Sequence, residues 1–385
     1  MAVKRRVFFL INLILRILHL PLLPLNGILK NLWVFGARSG FTYDDNSRHL
    51  FEYICKSHKE IHAVWISRNL KVIQYLREHD YKVYHAFSVR GIICIFLARV
   101  TFVNVYSHDI TPFKFLLTKK INVQLWHGTP MRQNNLSHIQ DSYDMVSVAS
   151  LDFLTSQTLG CPIKFNFVLT GYPRNDLLVK SRSSIGESNQ IQILYMPTHR
   201  KRVNKSGGVE SVDFDMFSYG FDFQAASEIL RKNNAVLSLK LHPLQSLPQC
   251  LTEEIRDSQN IQLIKKDCLL DIYETVARAD ILVTDYSSIL FDYLLLNRPV
   301  FLTPFDLKDQ AEVRSLRYPY SEIACGPVSS NWPEFFEQLE NYFSQGDSFS
   351  AIRESIRDKF NYYKDGKSSE RIYNLIKDSI CYANR

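Results

Sequence analysis

The chain has 385 residues, of which 46% are hydrophobic and 22% are charged, with only 14 Gly and 14 Pro. This composition excludes a disordered or collagen-like chain, and the length predicts two domains of roughly 150 to 200 residues each. The formal net charge of +7 favours an anionic partner such as a nucleotide, a phosphopolymer or a membrane surface, with a mildly basic surface of no functional meaning as the alternative.

The first predicted element is an amphipathic segment at residues 1–30. Basic residues Lys4 to Arg6 precede an apolar run over Val7–Leu20, and Pro21 ends any helix there. At about 100° per residue, Arg5, Asn12, Arg16 and His19 fall in one narrow sector and leave a wide apolar face. This pattern predicts a helix lying in a membrane interface. A short spanning or signal segment and a buried core helix are the alternatives, although the run is shorter than the roughly 20 apolar residues of a spanning helix.

Residues 31–185 alternate short β-rich runs with helical stretches. Helical periodicity covers Asn46–Ser57 and Lys71–His79. The predicted strands are Leu32–Gly36, His62–Ile66, Lys82–His85, Val100–Tyr106, Val123–Trp126 and Phe165–Thr170. An alternation of this kind predicts a parallel sheet with helices on both faces, and so a first Rossmann-like domain.

A polar stretch at Lys180–Asn189 predicts an interdomain linker, and the alternation restarts over residues 186–385. The predicted strands are Ile191–Met196, Val236–Leu241, Ile261–Ile264, Ile281–Thr284 and Val300–Thr303. The predicted helices are Ala225–Lys232, Leu269–Ala279 and Ser287–Leu296, followed by a helical segment over Phe335–Ala383 with a polar break at Asp365–Gly366. We therefore predict an α/β fold of two doubly wound domains facing a central cleft, with ligands at the carboxyl ends of the strands.

His127 and Gly128 follow the predicted strand Val123–Trp126 directly. Glycine lets a substrate approach the backbone closely, and an imidazole at a strand end can act as a general base near neutral pH. A lone histidine is more often structural, but its place at a strand end favours a functional role.

Basic residues follow two strands of the second half. Thr198, His199 and Arg200 come after Ile191–Met196, and Lys240 and His242 lie on one side of the next strand. Guanidinium groups suit phosphate oxygens, so these cations predict an anion site, with surface ion pairs as the alternative.

Asp285, Ser287 and Ser288 connect a buried strand to an apolar helix. Free backbone N–H groups and the helix dipole would face a phosphate there, and Asp292, one turn further on, could reach a ribose or polyol hydroxyl. The alternative is an ordinary serine N-cap, which does not exclude ligand binding.

The turn Gly171–Asp176 follows the last predicted strand of the first half. It could direct Arg174 towards the cleft between the domains. A surface turn with an exposed arginine is the alternative.

In this order, these motifs resemble the CDP-glycerol glycerophosphotransferase family, whose members build teichoic acid and related capsule polymers. The matching stretches are NLWVFGARSGFTYDDNSRHLFEY (31–53), LWHGTPMR (125–132), GYPRND (171–176), YMPTHR (195–200), LKLHP (239–243), ILVTDYSSILFDY (281–293) and DGKSSERI (365–372). The resemblance implies a GT-B fold, with acceptor and catalytic base on residues 31–185 and the donor held by residues 186–385.

The resemblance also implies roles for single residues. An acceptor hydroxyl would attack the β-phosphate of the donor, CMP would leave, and His127 would remove the proton, with His242 as the second catalytic residue. Donor contacts would come from His127, Gly128, Thr129, Pro130, Met131, Arg174, Pro197, Thr198, Arg200, Lys240, Leu241, His242, Ser287, Ser288 and Asp292. Phosphoryl transfer depends mostly on positioning and charge neutralisation, which the basic residues would supply without a metal.

The predicted partners follow from this reaction. They are CDP-glycerol, or CDP-ribitol as a variant donor, a lipid-linked or polymeric glycan acceptor, and the cytoplasmic face of the membrane, which the protein would bind peripherally. No tightly bound cofactor, required Mg²⁺ or nucleic-acid partner is expected. The seven scattered cysteines, none in a CxxC pair, are typical of buried thiols in a reducing compartment.

Two other classes of function remain open at this point. The GT-B fold would also suit a glycosyltransferase that uses a sugar nucleotide, and a non-catalytic scaffold at the membrane is a third reading. The chain is short compared with the family's polymerases, which counts against processive polymerisation and favours single addition, and the motifs do not decide between the two.

Overall fold

The computed structural model describes residue 25 and residues 27–132, 143–158, 166–183, 189–198, 201–203, 209–211, 216–241, 249–265, 267–307 and 316–382. Of the predicted membrane-associating segment, residues 1–30, only residues 25 and 27–30 are described, and the predicted helical run Val7–Leu20 lies outside the described residues. Arg200 and His242 lie outside them as well. None of the helices in the described ranges is long and apolar enough to cross a membrane.

The first part of the chain forms a seven-stranded parallel sheet in the order β3-β2-β1-β4-β5-β6-β7. Its strands are β1 (Leu29–Phe35), β2 (His62–Ser67), β3 (Val83–His85), β4 (Ala98–Val103), β5 (Ile121–Gln124), β6 (Met145–Val148) and β7 (Phe167–Leu169). The order reverses between β1 and β4, which is where doubly wound sheets bind ligands.

Aromatic side chains fix the centre of this sheet. Phe35 of β1 pairs in register with Trp65 of β2 and Phe102 of β4, and the rings of Phe35 and Phe102 stack 4.6 Å apart. All three side chains are fully buried, so their packing sets the register and holds the carboxyl ends of these strands level.

Helices cover both faces of the first sheet. They are α1 (Asp45–Ser57), α2 (Leu70–Glu78), α3 (Val89–Leu97) and α4 (Leu151–Thr158). The next helix, α5 (Asn175–Lys180), packs through Leu178 into the core cluster of the second sheet. Asn69 and Ser88 begin α2 and α3 by accepting hydrogen bonds from backbone N–H groups of the first turn.

The second sheet is five-stranded and parallel in the order β12-β11-β8-β13-β14. Its strands are β8 (Ile191–Met196), β11 (Ala235–Leu239), β12 (Ile261–Leu263), β13 (Ile281–Thr284) and β14 (Val300–Leu302), and β9 (Lys201–Val203) and β10 (Val209–Ser211) form a separate antiparallel pair. The reversal between β8 and β13 makes this sheet doubly wound as well, which confirms the predicted fold class.

Eight further helices follow in the described ranges. They are α6 (Phe223–Lys232), α7 (Gln249–Asp257), α8 (Ile272–Arg278), α9 (Ile289–Tyr293), α10 (Tyr320–Ile323), α11 (Trp332–Gln345), α12 (Ser350–Phe360) and α13 (Ser368–Tyr382). The apolar faces of α6 and α11 pack with Trp332 at their centre.

The last helix returns to the first sheet. Ile372, Tyr373 and Ile376 of α13 are buried in the same core cluster as Trp33, and the ring of Tyr373 lies 5.8 Å from that of Trp33. The predicted second domain, residues 186–385, includes this helix, and these contacts place it against the core of the first sheet. The domain bounds themselves stay a prediction.

Candidate active site

A cleft of about 700 Å³ opens between the carboxyl ends of the two sheets. The first sheet contributes the loop after β1 and the loop after β5, and the second contributes the ends of β8, β11 and β13. The lining residues are Arg38, Phe41, Thr42, Asp44, His127, Gly128, Pro130, Met131, Arg132, Met196, Pro197, Thr198, Lys240, Leu241, Asp267, Leu270, Ile272, Tyr286, Ser287 and Ser288.

His127 stands on a strained turn at the end of β5. Trp126, which precedes it, has a φ of 62°, a left-handed conformation that bulky residues rarely adopt. The side-chain amide of Asn46 in α1 donates to the Trp126 carbonyl at 2.9 Å, and the rings of Trp126 and His127 stack 5.1 Å apart. These contacts hold the imidazole of His127 at the cleft, where it is exposed.

The surroundings of His127 favour its neutral form. Burial among the cleft walls lowers the pKa of the imidazole; Asp45 opposes this, while Arg174 and Arg38 add to it, and the pKa falls to about 4. Since the ring is open to the cleft solvent, solvation moderates the shift without changing its direction. His127 is therefore unprotonated at neutral pH and free to accept a proton.

Gly128 brings the first domain close to the second. Its φ is 120°, and a Cβ added there would lie 2.7 Å from Nη2 of Arg174 and 3.2 Å from Oγ of Ser288. Only glycine allows the backbone to approach these two side chains so closely.

Arg174 lies behind this loop as the centre of a buried ion cluster. Its Nη1 donates to Oδ1 of Asp45 at 2.5 Å and its Nη2 to Oδ2 of Asp292 at 2.7 Å. The guanidinium also lies 4.5 Å from the ring centroid of Tyr273. Asp45 begins α1 of the first domain and Asp292 lies in α9 of the second, so Arg174 joins the two domains.

The carboxylate of Asp292 is fully engaged within the protein. Its Oδ2 also accepts from the hydroxyl of Tyr273 at 2.6 Å, and its Oδ1 accepts from the amide of Asn175 at 3.0 Å. The side chains of Arg174 and Asp292 are 4% and 1% exposed and do not line the cleft. Both residues therefore lie in the layer behind the cleft wall, and their predicted contacts with a ligand stay predictions.

The opposite wall is built at the ends of β8 and β13. The backbone N–H of Thr198 donates to Oδ1 of Asp285 at 2.8 Å, and the hydroxyl of Thr284 donates to the Met196 carbonyl at 2.7 Å. These bonds set the two strand ends side by side. Ser288 begins α9 without a side-chain capping bond, so its hydroxyl faces the cleft rather than serving as the helix cap.

The cleft collects most of the predicted donor residues. His127, Gly128, Pro130, Met131, Pro197, Thr198, Lys240, Leu241, Ser287 and Ser288 all line it. Thr129 is 1% exposed and is not among the lining residues. Arg200 and His242 lie outside the described residues, so their predicted roles stay predictions.

One wall of the cleft contains none of the predicted site residues. Arg38, Phe41, Thr42 and Asp44 follow β1, and Arg132 follows the His127 loop with its guanidinium 5.7 Å from the Tyr286 ring. Both stretches fall in motifs that carried the family resemblance. Their position after strands was the signal that could have identified them.

The described part of the chain contains no group of three or more His, Cys, Asp or Glu side chains arranged to hold a metal ion.

Comparisons with known proteins agree with this geometry. The family described as CDP-glycerol:poly(glycerophosphate) glycerophosphotransferase matches residues 21–378. A teichoic acid glycerol-phosphate transferase of Staphylococcus aureus is 25% identical over 90% of this chain and 93% of its own length. A teichoic acid ribitol-phosphate primase of Bacillus spizizenii is 30% identical over 54% of this chain and 52% of its own.

Solved structures share the fold. The wall teichoic acid polymerase TagF superimposes with a TM-score of 0.69 at 20% identity, over 93% of this chain and 91% of that one. A UDP-N-acetylglucosamine 2-epimerase of Listeria monocytogenes superimposes with a TM-score of 0.56 at 13% identity, over 93% and 98%. At these identities the likeness concerns the two-sheet architecture alone.

Proposed function

Because this chain belongs to the CDP-glycerol:poly(glycerophosphate) glycerophosphotransferase family, we propose that it transfers glycerol phosphate from CDP-glycerol to a hydroxyl of a lipid-linked or polymeric glycan acceptor, in the synthesis of a teichoic-acid-like polymer. One observation carries the proposal at the level of chemistry. An unprotonated histidine of the first domain faces a wall of hydroxyl, backbone N–H and ammonium groups of the second across one cleft.

The reaction needs one bond made and one broken. The acceptor oxygen attacks the β-phosphorus of CDP-glycerol, the bond from that phosphorus to the bridging oxygen breaks, and CMP leaves with the electron pair. His127 takes the proton of the acceptor hydroxyl. The new bond is a phosphodiester, and no oxidant or reductant is required.

The protein's main task in such a reaction is to place charge around the phosphates. Lys240, Ser287 and Ser288 line the wall that would hold the diphosphate. Arg174 lies directly behind Gly128, and because its charge is paired with Asp45 and Asp292, its part is to support the loop rather than to neutralise the phosphates. A bound diphosphate would in turn raise the pKa of His127, since nearby negative charge favours the imidazolium.

Metal-independence is part of the proposal. Lys240, with the hydroxyl groups of Ser287 and Ser288, would stabilise the charge of the leaving phosphate without Mg²⁺. A reaction mixture treated with EDTA should keep its activity, and complete loss that Mg²⁺ restores would contradict this part while leaving the transfer itself intact.

The donor is tested by offering CDP-glycerol, CDP-ribitol and sugar nucleotides separately and identifying the nucleotide released. CMP from CDP-glycerol is expected. CDP-ribitol is the second candidate, because a ribitol-phosphate primase matches 54% of the chain at 30% identity. Release of a nucleoside diphosphate from a sugar nucleotide would instead indicate a glycosyltransferase.

The catalytic base is tested by His127→Ala, with His79→Ala as the matched control. His79 is exposed at the end of α2 and away from the cleft. We expect His127→Ala to lose activity by a factor of 10² to 10⁴, the usual contribution of a general base, and His79→Ala to keep it. A non-catalytic scaffold would keep its cellular role in both variants.

We propose further that the protein binds the cytoplasmic face of the membrane peripherally, through the apolar face of residues 1–30. The support is the amphipathic pattern of the sequence. A chain lacking residues 1–24 should move to the soluble fraction, whereas the full chain should pellet with membranes and be released by alkaline carbonate. Full-length protein that resists carbonate would indicate a spanning segment.

A further inference from the structure

The loop after β1 forms a wall of the cleft that the donor chemistry does not use. This loop, residues 38–44, presents Arg38, Phe41, Thr42 and Asp44 to the cavity. The donor wall of Lys240, Ser287 and Ser288 belongs to the other domain. A transferase needs a second substrate, and this wall belongs to the same domain as the proposed base His127.

The backbone of the 38–44 loop is held in an unfavourable conformation. Arg38 and Ser39 have φ values of 40° and 57°, in the left-handed region that side chains other than glycine rarely occupy. The buried carboxylate of Asp109 fixes the loop by accepting the Ser39 N–H at 2.7 Å, while it also accepts the N–H groups of Asn104 and Val105. Strain fixed by a buried anchor is a feature of functional loops.

The strained turn presents an ion pair to the cleft. Nε of Arg38 donates to Oδ2 of Asp44 at 2.9 Å, and the hydroxyl of Thr42 donates to Oδ1 of Asp44 at 2.8 Å. The Arg38 side chain is 57% exposed and that of Asp44 is 17% exposed. A guanidinium has five N–H donors and a carboxylate about four acceptor sites, so the pair can both donate to and accept from a ligand.

Charge decides which ligand class fits this wall. Asp44 neutralises Arg38, and Asp267 adds a further carboxylate to the cleft, so a phosphate would meet repulsion here that it would not meet at Lys240. A neutral unit with several hydroxyls meets a donor and an acceptor side by side. Phe41, 52% exposed, offers an apolar face for its C–H groups.

We propose that Arg38, Phe41 and Asp44 form the acceptor subsite, and that they bind a polyhydroxyl unit, either a glycerol or a sugar ring, whose free hydroxyl faces His127. Asp44 accepts a hydrogen bond from one hydroxyl, Arg38 donates to another, and Phe41 covers the carbon skeleton. The three are positioning residues for the acceptor. This inference rests on the proposed function, since it assigns the second substrate of the same reaction.

The test measures acceptor and donor binding separately in the full-length protein. The variants are Arg38→Gln, Asp44→Asn and Phe41→Ala, with the exposed Arg77→Gln on α2 as the control for charge. Two soluble acceptors of equal length are used, one ending in a glycerol phosphate unit and one ending in a sugar. Calorimetry gives the Kd for CDP-glycerol, and CMP release gives the KM of each acceptor.

We expect each of the three variants to raise the KM of the preferred acceptor by roughly three- to thirty-fold, about what the loss of one hydrogen bond or apolar contact causes. The Kd for CDP-glycerol should stay within a factor of two, and the Tm should stay close to that of the wild-type protein. The control variant should match the wild-type protein in Kd, KM and Tm. Whichever of the two acceptors shows the rise identifies the source of the polyhydroxyl unit.

The sign of the Asp44→Asn effect separates a polyhydroxyl ligand from a phosphate. A phosphate at Arg38 would bind more tightly once the carboxylate is gone, so a lower acceptor KM in Asp44→Asn would overturn the assignment. Unchanged acceptor KM values, or a change confined to the Kd of CDP-glycerol, would overturn it as well. If instead the wild-type protein neither binds CDP-glycerol nor releases CMP, the proposed function itself fails.

Discussion

Replacing Arg174 by Ala tests the ion cluster that joins the two domains. The guanidinium bonds the buried carboxylates of Asp45 and Asp292, which are 4% and 1% exposed. Removing one partner of a buried ion pair leaves uncompensated charge and costs about 3–5 kcal/mol of unfolding free energy. Arg38, with Nη2 3.5 Å from Asp45, and Tyr273, bonded to Asp292, compensate part of the loss, so we expect the lower end of this range.

The effect should depend on pH in a defined direction. In the wild-type protein, burial alone would raise the pKa of Asp45, but Arg174 and Arg38 outweigh it and hold the pKa below its ordinary value. This stability is present at neutral pH and is lost as pH falls through the acid range. In Arg174→Ala the buried carboxylate of Asp45 loses the largest charge that offsets its desolvation, so its pKa rises above the wild-type value. The deficit against wild type should therefore be largest near pH 7 and shrink below about pH 5.

Urea unfolding of both proteins at about pH 4 and about pH 7.5, on either side of the carboxylate titration, followed by tryptophan fluorescence, measures this difference. The control is Arg256→Ala, which removes an exposed pair with side chains that are 73% and 76% exposed and should cost less than about 1 kcal/mol at either pH. A loss in Arg174→Ala no larger than that of the control, or one that does not change with pH, would refute the buried cluster as described.

Three further predictions concern the cleft. Gly128→Ala should reduce kcat/KM for CDP-glycerol by at least ten-fold. The added methyl group would displace Nη2 of Arg174, and alanine does not readily adopt a φ of 120°. A Gly128→Ala variant with wild-type activity and unchanged donor affinity would contradict this. Ser288→Ala should weaken CDP-glycerol binding about five- to ten-fold in calorimetry without lowering the Tm, since its hydroxyl makes no capping bond; a lower Tm with unchanged binding would show a capping role. The imidazole of His127, with a pKa lowered to about 4, should stay neutral down to about pH 5 in NMR of histidine-labelled protein and should titrate at higher pH once CDP-glycerol is bound; a signal that titrates near pH 6.5 in both states would refute the assignment of its environment.

Regular elements were the most predictable part of the fold. The strands Ile191–Met196 and Ile281–Thr284 were predicted to the residue, because each is a short apolar run bounded by polar residues. The strand Met145–Val148 and the helix Val89–Leu97 were missed. The strand has only four residues, and the helix is apolar on most sides, so neither shows a clear period.

The long-range contacts of the site could not be predicted. Sequence position after a strand identified His127, Ser287 and Ser288 because strand ends meet at one edge of a sheet. Arg174 binds Asp45 across 129 positions and Asp292 across 118. Nothing local indicates that these three charges satisfy each other within the protein. The sequence of the turn Gly171–Asp176 therefore cannot show that Arg174 is already paired within the protein.

The return of α13 to the first sheet had the same cause. The sequence of Ser368–Tyr382 shows an amphipathic helix but not which core its apolar face meets. Asp176 accepts the N–H groups of Ser368 and Ser369 at 2.7 and 2.9 Å, and this bond to the first domain begins the helix where it can reach the core around Trp33. Only the three-dimensional arrangement brings these residues together.

Phosphorus NMR of one reaction mixture tests the central claim most directly. CDP-glycerol and a hydroxyl-bearing acceptor are incubated with either the full-length wild-type protein or its full-length His127→Asn variant. Wild-type protein should convert the diphosphate signals into equal amounts of CMP and a phosphodiester, and the variant should do so at least a hundred-fold more slowly. Release of CDP in place of CMP, or equal rates for the two proteins, would contradict the account.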